Sequence, residues 1–212
     1  VLFISSELFG DQRGNRLTFR GNVRAWQGEQ NLSAQEVIVD QTSRSLSARE
    51  RVTTRFPRDR DGQGAASDEF VQITAAELDY VEAERQATYR ETVRVVLAEG
   101  WIESARLVVT QSATGGGFER LLAERDVQFE FLGVADDGDE DQPRTVGTGD
   151  RLDYLPAQDT LWLYGDEKRA EIQRGGDQAG TSRGKVLTYR LDDGTLSVEG
   201  GSISTPSPEP PG

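Results

Sequence analysis

The chain has 212 residues, 24 basic and 37 acidic, for a net charge of −13. That balance argues against a nucleic-acid backbone as main partner, because phosphate binding needs a cationic surface. With no Cys, His or Met, disulfides, thiolate nucleophiles, Ser-His-Asp triads and Cys- or His-ligated metals are excluded together.

The chain starts at Val1, which, with no Met, reads as a processed or trimmed segment. The longest apolar run, Val95-Val96-Leu97-Ala98, falls far short of the ~20 residues of a membrane span. No targeting segment indicates a compartment.

One template recurs along the chain: a position that is often aliphatic, a small residue two on, Leu or Val three further, then Val or Tyr two further. Leu32, Ala34, Val37 and Val39 form the first unit. After the turn Asp40-Gln41-Thr42-Ser43, alternation resumes at Leu46 and Ala48. Residues 57–69 mix charges with small residues and read as an exposed loop. Ile73, Ala75, Leu78 and Tyr80 form the second unit, followed by Ala87/Tyr89 and Val93/Val95/Leu97. The third is Ile102, Ser104, Leu107 and Val109, with residues 112–117 lengthening the connection to Phe118. Val127/Phe129/Phe131 alternates again, and an acidic loop spans 134–145. Gly147, Gly149, Leu152 and Tyr154 make the fourth unit, with Leu161/Leu163 beyond the turn Pro156-Ala157-Gln158-Asp159. Ser182, Gly184, Leu187 and Tyr189 make the fifth, with Leu196/Val198 beyond Asp192-Asp193-Gly194. Residues 204–212 form a Pro/Ser-rich tail without the means to pack.

Each unit reads as a hairpin of two period-2 strands, each burying one face. The small residue lets an opposing sheet or a ligand approach closely. Helix is the rival over 75–99, which is rich in Ala, Glu, Arg and Leu. From Leu78, however, a helix would bury Val81, Glu82, Arg85 and Gln86, and that face fails. The expectation is an all-β, elongated antiparallel structure built from repeated hairpins. It forms one domain over 1–203, because the units continue on both sides of each loop.

Chemical sites are weaker than their plain readings. The run Asp136-Asp137-Gly138-Asp139-Glu140-Asp141 has the wrong order for a calcium loop and reads as solvated. Asp59 and Asp61 before Gly62 are weaker still. No carboxylate pair is singled out for a glycosidase mechanism. Ser182 and Lys185, a conceivable dyad, read as ordinary strand residues on opposite faces. Gly115-Gly116-Gly117 lacks a P-loop Lys, and Trp26, Trp101 and Trp162 read as core or rim aromatics rather than sugar platforms. No cofactor or metal is expected.

The stronger site is collective. Hairpins side by side place Val37, Val39, Leu78, Tyr80, Leu107, Val109, Leu152, Tyr154, Leu187 and Tyr189 in comparable positions. The template's three-residue step means that not all its positions can share one face of an ideal strand, and these ten are assigned inward. They line an apolar trough, either self-packed as core or open as a slot for chain-like lipids.

Gly21-Asn22-Val23-Arg24-Ala25-Trp26-Gln27-Gly28, leading into residues 32–39 and then Leu46-Ser47-Ala48, resembles the repeat of the OstA/LptA-like proteins of lipopolysaccharide transport. Residues 73–80 and 149–154 are similar to it, and the resemblance spans about 17 to 201. Ser104 where the pattern prefers Ala, and Gly147 and Ser182 at positions usually aliphatic, are departures. The resemblance implies a taco-like antiparallel β-jelly roll in the periplasm, with any signal or anchor absent from this chain. It implies no enzyme but a carrier that binds lipopolysaccharide acyl chains inside the fold, on the ten inward positions. It further implies joining to other jelly rolls, or head to tail to itself, by edge-strand pairing. Arg16 and Arg20, or Arg90 and Arg94, are then expected to offset the negative charge near a rim. The alternative is a structural or adhesion repeat with a filled core and no lipid.

Overall fold

A computed structural model describes residues 1–11, 14–57, 70–113, 118–132, 144–166, 168–175, 179–191 and 193–204. The acidic run at 136–141, the glycines at 115–117, and Asp59, Asp61 and Gly62 lie outside the described residues. So do most of the expected 57–69 and 134–145 loops. Their described ends, Pro57 and Arg144, belong to strands, and Ser204, expected to open the tail, ends a short strand.

Among the described residues there are sixteen strands in one hydrogen-bonded sheet. Eight long antiparallel strands form its body, each beside its neighbour in sequence: β3 (Arg16–Gln27), β4 (Gln30–Asp40), β5 (Ser45–Pro57), β6 (Phe70–Val81), β7 (Gln86–Leu97), β8 (Gly100–Gln111), β9 (Phe118–Leu132) and β10 (Arg144–Leu155). The helix alternative over 75–99 is absent, because alternation buries Leu78, Ala87, Tyr89, Val93, Val95 and Leu97 on one face. Among the described residues Glu82–Glu84 and Pro156–Gln158 form single 3₁₀ turns, each closed by a residue in the left-handed region, Arg85 and Asp159.

Every long strand is creased near its middle. Pairing skips between Arg20 and Val23, Ser33 and Glu36, Arg49 and Val52, Thr74 and Glu77, Arg90 and Val93, Glu103 and Arg106, and Gly149 and Arg151. At that level the odd-numbered strands carry two successive residues with positive φ: Gly21-Asn22, Glu50-Arg51, Glu91-Thr92 and Arg125-Asp126. The even-numbered strands place the template's small residue there: Ala34, Ala75, Ser104 and Gly149. The crease is thus a column of β-bulges that bends the sheet and folds it into two facing layers. It also accounts for the three-residue step, since side-chain parity flips across it. Ala34 and Val37 are both buried, as are Ala75 and Leu78, and Ser104 and Leu107.

The ends of the sheet fork along the crease. The two halves of β3 pair separately with β2 (Glu7–Gly10) and β1 (Leu2–Ile4). The two halves of β10 pair with β11 (Thr160–Tyr164) and β12 (Ala170–Arg174). One layer then continues through β14 (Val186–Arg190) to β15 (Leu196–Glu199), the other through β13 (Gly180–Gly184) to β16 (Ser202–Ser204). The sheet does not close into a barrel.

Charged side chains occupy the outer faces as cross-strand pairs. Arg20 pairs with Glu36, Arg94 with Glu103, Arg106 with Glu124 and Arg144 with Glu130. Asp79 receives Ser47 Oγ at 2.7 Å, Arg49 at 3.1 Å and the Arg90 guanidinium. Partial burial alone would raise its pKa, but these donors outweigh that and hold it below the ordinary 3.8. A depressed folded-state pKa stabilises above the unfolded value and is lost as pH falls through the folded one. Asp79→Asn is therefore expected to flatten the acid loss of stability below about pH 3.8. Thermal melts of both proteins between pH 2 and 6 check it; equal acid slopes would refute it.

Candidate functional site

The ten sequence-assigned residues all project into the space between the layers. Val37, Leu78, Leu107, Val109, Leu152, Tyr154, Leu187 and Tyr189 are buried in the main hydrophobic cluster, and Val39 and Tyr80 pack against it half-buried. All ten stand on one layer, formed by the half-strands that continue into β11, β14 and β15. The opposing wall was not assigned. It comprises Phe56, Val71, Ile73, Val95, Ile102 and Phe129 among others. Its signal was present in the alternations at Val93/Val95/Leu97 and Val127/Phe129/Phe131.

The layers meet through specific contacts. Phe3 stacks on Phe19 with centroids 4.5 Å apart, joining β1 on one layer to the opposite half of β3. Thr54 Oγ1 and the Tyr89 hydroxyl share a hydrogen bond of 2.8 Å in the buried interior. Burial pushes the Tyr89 phenol's pKa well up, with the Thr54 bond opposing it. Thr145 Oγ1 and the Tyr189 hydroxyl repeat the arrangement at 3.4 Å.

The seam is not uniform. Towards the C-terminal half its inner row, Val109, Leu121, Tyr154, Leu161 and Tyr189, is buried. Towards the N-terminal half the corresponding row, Leu17, Val39, Leu46 and Tyr80, is only half-buried, as is Leu32 on the facing wall. Tyr80 lies at the transition, its hydroxyl donating to Gln111 Oε1 at 3.0 Å.

Several sequence candidates resolve simply. Ser182 is buried while Lys185 is exposed, so they form no dyad. Trp26, Trp101 and Trp162 point outward and are half-buried, with the Arg94 guanidinium 4.7 Å from the Trp101 ring centroid. The arginines expected to serve a rim are otherwise engaged. Strand register turns Arg20, Arg90 and Arg94 onto the outer faces, where Glu36, Asp79 and Glu103 take them; Arg16 stands opposite Asp40. Gly147 departs from the aliphatic pattern because the Phe129 ring lies over it; a Cβ there would sit 2.2 Å from Phe129 Cε1. Among the described residues no group of three or more Asp or Glu is placed to hold a metal, and no helix is long and apolar enough to cross a membrane.

Two apolar layers hinged on a common crease, with forked end strands that each pair on one side among the described residues, define an open antiparallel β-jelly roll. The family model for the LptA/(LptD N-terminal domain) LPS transport protein matches residues 5–68 and 72–195. The chain belongs to that family of lipopolysaccharide transport proteins, which are not enzymes. The fold is similar to the crystal structure of LptH, the LptA homologous periplasmic component of the lipopolysaccharide transport device from Pseudomonas aeruginosa. The similarity has a TM-score of 0.52 at 16% identity and covers 66% of this chain and 90% of that one. No curated protein matches the chain significantly.

Proposed function

We propose that the chain is a periplasmic carrier and bridge module that shelters lipopolysaccharide acyl chains between its two layers. The ten inward residues form one wall of the acyl-chain site. The observation that carries this is a continuous apolar interior between two walls that fold about a common crease, in a member of a lipopolysaccharide-transport family. A saturated chain moved from water into such an interior gains ~0.8 kcal/mol per CH₂. The half-buried row at Leu17, Val39, Leu46 and Tyr80 is where entry displaces the fewest packed side chains. The module is a single jelly-roll unit over residues 1–203.

Photocrosslinking tests this. A benzophenone side chain at Val39 or Leu46 is expected to capture lipopolysaccharide in cells, and more strongly than one at Leu152, which is fully buried. No adduct at any of the three, with the variants folded, would refute the reading. It would favour a filled-core structural repeat instead. That second reading draws support from the tight interior, where Tyr89, Tyr154 and Phe129 are almost wholly inaccessible.

The bridge rests on the ends. At one, β1 and β2 each pair, among the described residues, with β3 alone, and Leu2, Ile4, Leu8 and Phe9 are 64%, 56%, 59% and 50% exposed. At the other, β15 and β16 each pair on one side only. Such edges accept a further strand from another jelly roll or from a second copy. Leu8→Asp with Phe9→Asp is expected to abolish concentration-dependent assembly at unchanged melting temperature, read by light scattering. Assembly persisting in the double variant would refute pairing at that edge.

A further inference from the structure

Among the described residues the fully buried side chains are apolar except for hydroxyl groups, and four of these form two matching pairs across the gap. Thr54 faces Tyr89, and Thr145 faces Tyr189. In each pair the threonine stands on one layer and the tyrosine on the other. Thr54 lies on β5 and Thr145 on β10, Tyr89 on β7 and Tyr189 on β14. The pairs are therefore five strands apart on both walls, roughly 24 Å at ~4.8 Å per strand. The second contact, at 3.4 Å, is long for two hydroxyls, whose usual separation is about 2.7–2.8 Å.

In the closed state each hydroxyl is satisfied by its partner on the opposite wall. A chain lodged between the layers must part them, which breaks that bond while both groups stay out of water. Buried hydroxyls without partners are strongly disfavoured. An unsubstituted hydrocarbon chain offers them nothing. A chain bearing a hydroxyl offers both a donor and an acceptor, and restores what the parting removed.

We propose that the Thr54/Tyr89 and Thr145/Tyr189 pairs make the interior selective for hydroxylated acyl chains over unsubstituted ones. This deepens the lipid-carrier reading and rests on it. Discrimination of this kind is strong because a site built for a hydroxyl penalises the analogue lacking it.

The test is displacement of an environment-sensitive fluorescent fatty acid from the whole chain. The competitors are 3-hydroxytetradecanoate and 12-hydroxyoctadecanoate, each against its unsubstituted parent. The wild-type protein is expected to prefer at least one hydroxylated chain by about tenfold. Thr54→Val with Tyr89→Phe removes both partners of one pair at nearly constant shape, and Thr145→Val with Tyr189→Phe does the same for the other. The preference ratio is expected to fall in each double variant and to approach one when all four changes are combined. Should one double variant fail to fold, the other carries the same expectation. Binding of parents and hydroxylated chains without discrimination in the wild type overturns this inference alone, as does a ratio indifferent to both double variants. Binding of none of the four competitors overturns the lipid-carrier reading and this inference with it.

Discussion

Phe129→Ala is expected to lower the unfolding free energy by about 3–5 kcal/mol, the range for removing a large buried aromatic. Phe129 is wholly buried, its ring centroid 5.3 Å from that of Phe131, and it roofs Gly147 on the paired strand. A glycine in a strand interior is a weak point, and a ring laid across it supplies the packing the missing side chain cannot. Gly147→Ala alone is expected to destabilise by about 1–3 kcal/mol, since the new Cβ would drive the ring from its place. In the Phe129→Ala background the same alanine has room, so its penalty should vanish or reverse. The two changes are coupled, and their sum overstates the double variant. Urea unfolding of the four proteins, with unchanged m-values, measures the coupling. Strict additivity would mean that the ring does not cover Gly147.

That pair illustrates what the residues disclose before any coordinates. Alternation is local, so the strands, the turns and the all-β class were legible in Val93/Val95/Leu97 and Val127/Phe129/Phe131. The crease was encoded too, but as an apparent contradiction. A step of three from Ala34 to Val37 forbids a common face on a flat strand, and only a bend reconciles them. Constant parity therefore assigned one wall and left the other. The other half of the crease has no conventional signature. Gly21-Asn22 is a recognisable left-handed pair, whereas Glu50-Arg51, Glu91-Thr92 and Arg125 are not residues that favour positive φ, and Asp126 is the one residue among them that does. Their conformation is imposed by the stacking of neighbouring creases, a non-local cause. The short end strands escaped notice for a similar reason. Leu8-Phe9 or Ala170 to Ile172 are too brief to show a period, and they exist as strands because a long neighbour offers them hydrogen bonds.

If acyl chains enter by parting the two layers, sealing the layers should abolish loading. The stack of Phe3 on Phe19 spans the gap at the N-terminal end, beside the half-buried row that the entry route uses. The chain has no cysteine, so Phe3→Cys with Phe19→Cys introduces the only two thiols, and a short bis-methanethiosulfonate reagent joins them across the gap. Lipid loading of the crosslinked protein is expected to fall at least tenfold and to recover once a reductant cleaves the tether. Each single-cysteine protein, treated with the same reagent, should load as before treatment, because a modified residue on one wall leaves the other free to move. Recovery on reduction separates a locked seam from a damaged fold. Loading that proceeds unchanged in the tethered protein would mean that chains enter elsewhere, and the half-buried row from Leu17 to Tyr80 would lose its assignment as the entrance.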